Sequence, residues 1–331
     1  MVKLCNFFLK TKIFPYFLGF SFACATLAIS HDSFAWGENG HRIVGEIASH
    51  RLHRKARHKL EDILGSESLA RASTWSDEVR SDQKYSKHTP PWHFVEVADG
   101  KTYESVTHPA EGDSYTALLN MEAILADKNA TRDQQREAVR FIVHLVGDIH
   151  QPLHVGNGTD RGANWCTVTY MSKATNLHAL WDTDLIDAIK LSFTEYTRFL
   201  EDSLTKENEK LWSSGNYLDW IAESQNLRDA LYPKVIVNGA EVAGRPYCKD
   251  PKQGVVDPTL IPKLSYDYAY QNRPILDQRL TQAGVRLAYV LNEIFEGKRK
   301  PSSTNSAAQA SKKEATATSN IVAPVETPKA K

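Results

Sequence analysis

The sequence predicts an all-α protein: a single, mostly helical domain carrying a small β-hairpin. Three observations lead there. Apolar residues recur at three- and four-residue spacing in one segment after another. No shift in composition between residues 36 and 298 marks a second domain. The strand-like stretches are few and short: residues 167–171, behind a Gly/Asn/Asp-rich loop at 156–164, and residues 91–97.

The chain starts with a different kind of segment. Lys3, Lys10 and Lys12 precede an apolar run over residues 13–29, and Ser33-Phe34-Ala35 follows with small residues where a signal peptidase reads. Residues 1–35 are therefore expected to be an export signal removed after Ala35. The run contains Pro15 and is short for a spanning helix, so no stable membrane anchor is expected. The mature protein would be secreted or periplasmic.

Helical spacing then appears in order. It links Val44, Ile47, Ala48, Leu52, Leu60, Ile63 and Leu64, then Leu118, Leu119, Ile124 and Leu125. The clearest stripe is Ala138, Phe141, Ile142, Leu145, Val146 and Ile149. Leu180, Trp181, Leu185 and Ile189 form another, followed by Leu211, Leu218 and Ile221, and finally Leu280, Ala283, Leu287, Leu291 and Ile294. Residues 299–331 are mostly Ser, Thr, Ala, Pro and Lys. They hold too little apolar surface to offset the entropy of ordering and are expected to be a low-complexity, disordered tail.

Loss of the signal removes three Lys and one Asp and leaves 37 basic and 39 acidic residues. A near-neutral chain has no general field to attract a polyanion, so any such partner must be held by a local site. Cys166 and Cys248 remain after cleavage. In an exported protein they are a candidate disulfide, with two buried thiols as the alternative.

The chemistry concentrates in histidine. In His144-Leu-Val-Gly-Asp148 a His and an Asp stand four apart on one helix face, and Pro152 ends that helix so that His154 can fold back. His178-Ala-Leu-Trp-Asp182 repeats the spacing on a second helix. One such pair is most often an ordinary ion pair. Two pairs on two helices, with His154 beside them, point to metal ions inside a helical bundle. Imidazole and carboxylate suit Zn²⁺, and closely spaced ions can clamp a phosphate and lower the pKa of water to about 7. His150 should point off the ligand face. His50, His53, His58, His88 and His108 read as solvated helix or loop residues.

Taken together, Trp36-Gly-Glu-Asn-Gly-His41, Trp75-Ser-Asp77, Trp92-His93-Phe94, His144-x3-Asp148-x5-His154 and His178-x3-Asp182 resemble the S1/P1 nuclease family. The motifs run from Trp36 to Asp182; the C-terminal half has only a compatible helical pattern. The resemblance implies the phospholipase C/P1 nuclease type of fold for 36–298 and three zinc ions. Asp77, His93, His144 and Asp148 would hold the first, and His154, His178 and Asp182 the second. Trp36, through its free amine and carbonyl, would hold the third with His41 and a shared Asp148. An α-amine can donate a lone pair only once Ala35 has been removed, which gives the cleavage a chemical purpose.

By the same resemblance Asp77 would orient the attacking water and Arg80 would stabilise charge on the phosphoryl group. Phe94 would stack on a base that Glu96 and Asn164 contact. Glu96 stands where the best-known fungal members have Asp, which leaves base preference open. The implied activity is hydrolysis of single-stranded DNA and RNA to 5′-phosphate products, with 3′-nucleotidase action on nucleotides, by a monomer. A zinc phospholipase C is the alternative. That family usually ends its ligand set in HxxxE, whereas this chain has His178-x3-Asp182. A zinc-buffering helical protein is a third reading, which open coordination positions would disfavour.

Overall fold

A computed structural model describes residues 36–299. The expected signal segment and the expected tail beyond Arg299 lie outside the described residues. Arg299 itself is docked: its Nε donates to Glu122 Oε1 at 2.5 Å, and its guanidinium lies 4.6 Å from the Tyr217 ring centre.

The described chain is mostly helical with small sheets, as the periodicity predicts. Helices α1 (Glu38–His50) and α2 (Arg54–Leu64) divide the first apolar stripe, because His53 is extended and opens a new helix. Two short turns follow, α3 (Leu69–Ala72) and α4 (Trp75–Glu78). Residues 91–97 are extended only in part. Pro90 and Pro91 start a 3₁₀ turn, Pro90–His93, because proline's fixed φ suits a first helical turn. Strand β1 is confined to Val95–Glu96.

Helices α5 (Ser114–Ala126) and α6 (Arg132–Asp148) both start with reciprocal caps, Asp113 with Thr116 and Thr131 with Gln134. Beyond α6 come a 3₁₀ turn, Pro152–His154, and β2 (Val155–Gly156). β1 and β2 pair in parallel, Val95 opposite Val155 and Glu96 opposite Gly156. The expected hairpin is β3 (Thr167–Tyr170) with β4 (Lys173–Asn176), its turn formed by Met171 and Ser172 at positive φ. The second metal-bearing helix is wound unevenly: α7 (Leu177–Ala179), a π turn (Leu180–Asp184) and α8 (Leu185–Asp187). π turns often mark functional positions.

The remaining elements are α9 (Phe193–Asp202), α10 (Lys206–Trp212), α11 (Tyr217–Arg228), β5 (Ile236–Val237), β6 (Ala240–Glu241), β7 (Lys263–Leu264) and α12 (Tyr266–Glu296). β7 adds in parallel to β3, and β5 pairs antiparallel with β6. Cys166 and Cys248 are joined as a disulfide.

α6 is the central rod. From Ala138 to Asp148 almost every residue is buried, apolar on most sides and polar toward one end. Leu145, Val146 and Ile142 are fully buried, each worth about 1.5–3 kcal/mol of transfer free energy. α1 crosses α12 closely because Gly284 has no side chain: a Cβ there would lie 2.4 Å from Ile47 Cβ. This crossing and the α1–α6 contact hold the start of α1 beside the polar end of α6.

Candidate metal centre

Four stretches of chain meet at that polar end. α6 supplies His144 and Asp148, one turn apart and both fully buried. α1 supplies His41, whose ring stacks on His144 with centroids 3.9 Å apart. α4 supplies Asp77, and the 3₁₀ turn before β1 supplies His93. Asp148 lies at the middle. Its Oδ1 is 3.3 Å from His41 Nε2, and its Oδ2 is 3.2 Å from His144 Nε2 and 3.3 Å from His93 Nδ1. Asp77 Oδ1 is 3.7 Å from His144 Nε2 and 3.8 Å from His93 Nδ1. A separate group joins His154, His178 and Asp182: the imidazole Nε2 atoms lie 3.5 and 3.0 Å from the Asp182 oxygens.

Within these groups His93 Nδ1 and His144 Nε2 lie within hydrogen-bond distance of each other, 3.0 Å apart, but most of the other converging acceptors and ring nitrogens do not satisfy one another. Buried atoms with no hydrogen-bond partner include both His41 ring nitrogens, Asp77 Oδ1, both Asp148 oxygens, His154 Nε2, His178 Nε2 and Asp182 Oδ2. Each such atom would ordinarily cost about 1–3 kcal/mol. Their concentration in two small clusters fits a cation that takes their lone pairs. Among the described residues four groups of side chains have possible ligand atoms close together: His41, His144 and Asp148; Asp77, His93 and His144; His154, His178 and Asp182; and Asp160, Cys166 and Cys248, whose sulfurs are bonded to each other as a disulfide and so offer no thiolate.

The surroundings orient the rings for that purpose. His144 Nδ1 is 2.7 Å from the Ser73 carbonyl, His154 Nδ1 is 2.7 Å from the His93 carbonyl, and His178 Nδ1 is 2.5 Å from the Gly162 carbonyl. A carbonyl can only accept, so each Nδ1 carries the proton and each Nε2 presents its lone pair to the cluster. Asp182 Oδ1 accepts from the Gln151 side-chain amide at 2.6 Å, which leaves Oδ2 for the cluster. Gly147 makes room for the arrangement. A Cβ there would sit 3.0 Å from His41 Nδ1 and 3.7 Å from Trp36 Cδ1.

Electrostatics supports ionised carboxylates. Burial would raise the Asp148 pKa, but the adjoining His144, His41 and His93 outweigh it and hold the group well below the usual range. Asp182 is lowered against the same burial term by His178 and His154. Burial, then the neighbouring His144, lowers His41 to about 4. For His154 burial is outweighed by Asp182, and the imidazole rises to about 9.

The structure brings all the side chains of the two HxxxD units, His41, Asp77, His93 and His154 into these clusters. Trp36 is fully buried and reaches the same neighbourhood through Gly147 and Gly40, and the next residue, Gly37, donates its N–H to the Asp182 carbonyl at 2.7 Å. Arg80 lies beside Asp77, Nε to Oδ1 3.2 Å. Phe94 is half-buried and Glu96 exposed, two residues apart on one side of the extended chain that leaves His93. Glu96 Oε2 approaches Gly158 in the 156–164 loop. Asn164 is half-buried on that loop, and its side-chain amide donates to the Arg161 carbonyl at 2.9 Å. Its oxygen and the second N–H of the amide remain for other partners.

His150 points away, as expected, but it is not solvated. It is fully buried, with Nδ1 2.7 Å from the Val146 carbonyl and Nε2 3.1 Å from Arg286 Nη1. The residues that sequence reasoning missed are Ser73, Gln151, Gly147 and Gly162. Only Gln151 and Gly147 left a signal, as members of the 144–154 motif.

Residues 36–296 match the S1/P1 Nuclease family, a span that starts at Trp36 and ends with α12. Endonuclease 4 of Arabidopsis thaliana is 31% identical over 284 residues, which cover 81% of this chain and 92% of the relative. Nuclease S1 of Aspergillus oryzae is 28% identical over 82% of this chain and 96% of its own length. Nuclease P1 of Penicillium citrinum is 33% identical over 156 residues, 45% of this chain and 57% of the relative. A match across residues 36–296, together with 31% identity over 92% of a plant endonuclease, establishes that the chain belongs to the S1/P1 nuclease family and is a hydrolase of nucleic-acid phosphodiesters.

Proposed function

We propose that the protein is a zinc-dependent endonuclease of single-stranded DNA and RNA, exported and active as a monomer, which leaves 5′-phosphate ends and also removes the 3′-phosphate of nucleotides. The observation that carries the reading is the set of unpartnered, buried imidazole and carboxylate atoms gathered at the end of α6. In this reading Asp77, His93, His144 and Asp148 would hold one ion, and His154, His178 and Asp182 a second. The Trp36 amine and carbonyl, His41 and Asp148 would hold a third. The start of the family match at Trp36 supports a mature chain that begins there. Zinc bound by these residues would supply Lewis acidity toward the phosphate and a water of lowered pKa.

The protein's own groups do the rest. Asp77, an acceptor at the edge of the cluster, orients the attacking water and takes up its proton. Arg80 donates to the phosphoryl oxygens where negative charge grows. Phe94 stacks on the base beside the scissile bond, and Glu96 and Asn164 contact its edge. A base can reach Phe94 only when it is unstacked from a duplex, and this favours single strands. The Gly162 and His93 carbonyls keep the His178 and His154 lone pairs aimed throughout.

The family match ranks this reading above phospholipase C. The test is to measure zinc per chain, the N-terminal residue, and hydrolysis of single-stranded DNA and of phosphatidylcholine. Expected are Trp36 as the first residue, about three zinc ions, and DNA cleavage that Asp148→Ala abolishes. Full cleavage by Asp148→Ala with unchanged metal content would refute the proposal.

A further inference from the structure

The segment from Asp160 to Cys166 connects two features that the mechanism treats separately. Its Gly162 carbonyl meets His178 Nδ1, and it carries Asn164. Its backbone is strained in a particular way. Arg161, Gly162 and Ala163 follow one another in the left-handed region, with φ of 55°, 60° and 66°. Two of these have a Cβ, and L-residues rarely adopt that conformation in succession. Gly162 could not be replaced, because a Cβ there would lie 2.3 Å from the Leu153 carbonyl oxygen.

One buried carboxylate holds this turn. Asp160 is 3% exposed. Its Oδ1 accepts from the Ala163 N–H at 2.8 Å, and its Oδ2 accepts from the Tyr232 hydroxyl at 2.8 Å. Its main-chain carbonyl accepts from the Trp165 N–H at 3.1 Å. The side chain thus spans the three left-handed residues and ties them to the end of the 3₁₀ turn that follows α11. Within the loop, Asn164 donates both its N–H, at 3.2 Å, and its side-chain amide to the Arg161 carbonyl. The direction of the Gly162 carbonyl and the placement of Asn164 are consequences of the same turn.

We propose that Asp160 is a positioning residue for the nuclease reaction, fixing at once the orientation of His178 and the placement of Asn164. The proposal rests on the reading of His178 as a metal ligand and Asn164 as a base contact. It predicts a coupling that neither role alone would produce: loss of the carboxylate weakens metal binding and flattens base preference together.

The experiment uses the mature, zinc-loaded enzyme with Asp160→Ala, Asp160→Asn and Tyr232→Phe. Zinc affinity is measured against a competing chelator, and kcat/KM is measured on single-stranded dA, dT, dC and dG homopolymers. Asp160→Ala is expected to lower affinity for at least one zinc ion by about 10–100-fold, as carbonyl and carboxylate supports of metal ligands do, and to compress the ranking of the four polymers. Asp160→Asn keeps an acceptor for the Ala163 N–H and can donate to the Tyr232 oxygen, so it should restore both measures to within about threefold of wild type. If Asp160→Ala does not fold, Tyr232→Phe is judged by the same two measures. A change in both supports the assignment, and a change in one alone or in neither overturns it. A wild-type enzyme that binds zinc and ranks the polymers, beside an Asp160→Ala protein that does both identically, overturns this assignment alone. A wild-type protein that neither binds zinc nor cleaves overturns the underlying reading and this assignment with it.

Discussion

Gly147→Ala separates the metal centre from the stability of the fold. Gly147 is in the last turn of α6, next to Asp148. An added Cβ would lie 3.0 Å from His41 Nδ1, 3.2 Å from His41 Cε1 and 3.7 Å from Trp36 Cδ1. Two terms oppose. Replacing glycine by alanine in a helix stabilises by up to about 1 kcal/mol. Overfilling a packed site costs about 1–3 kcal/mol. The net effect on folding should stay within about 2 kcal/mol, and the variant should fold. The site has less tolerance. His41 is fully buried, stacked 3.9 Å from His144, with Nε2 3.3 Å from Asp148 Oδ1, so it cannot retreat without displacing one of them. A displacement of a few tenths of an ångström at a ligand should weaken zinc binding by about 10–100-fold, or about 1.4–2.8 kcal/mol. The assays are a thermal melt, a zinc titration against a competing chelator, and single-strand cleavage. A Gly147→Ala enzyme with wild-type zinc affinity and cleavage rate would refute the claim that this packing sets the centre.

Further outcomes follow from other parts of the structure. Chelation should abolish cleavage and lower Tm, since ligand binding at about 1,000 times Kd contributes about 4 kcal/mol; an unchanged melt after complete zinc removal would contradict a role for the ions in filling the buried clusters. Cys166 and Cys248 are 82 residues apart in sequence. The chain-entropy argument gives their bond about 4–5 kcal/mol, so a Cys166→Ser/Cys248→Ser protein should melt well below wild type, and equal melting points would discredit that account. Glu223 bonds both Arg279, which is fully buried, and Arg286. Burial would raise the Glu223 pKa, but Arg286 and then Arg279 lower it below 4.5. Its contribution is therefore complete above about pH 4.5 and lost as pH falls through the lowered value. Glu223→Gln should lose a fraction of the ~3–5 kcal/mol typical of a broken buried pair, because the Glu223 side chain is 40% exposed and water screens it. The gap in Tm between wild type and variant should hold from about pH 8 to 5 and narrow progressively as pH falls below about 4.5; a gap that does not narrow in acid while the protein stays folded would show that the carboxylate charge is not its source.

Much of the candidate metal centre is legible because its residues announce themselves by type and spacing. His144 and Asp148 are four apart in a strongly periodic apolar stripe, so one helix face had to carry both, and the helix formed where the pattern placed it. His178 and Asp182 kept the same spacing although the helix there widens into a π turn. The hairpin near 167–171 also followed from local cues, whereas the Cys166–Cys248 bond was one of two alternatives left open by the pair of cysteines beyond the expected signal, and the fold decides it. Residues 91–97 are extended only in part, because two adjacent prolines fit a 3₁₀ turn as well as a strand entry.

By itself the sequence determined which side chains could bind a cation and which helices would present them, because side-chain identity and helical period are local properties written residue by residue. Tertiary structure alone decided which of those side chains share a cluster and which ring nitrogen faces inward. It also decided that His150 faces Arg286 within a buried network. The carbonyls of Ser73, His93 and Gly162 that aim three imidazoles, and the Asp160 carboxylate that holds one of those carbonyls in place, carry no sequence signature. Every residue has the same carbonyl, and its direction is set only when distant segments pack and constrain the backbone torsions between them.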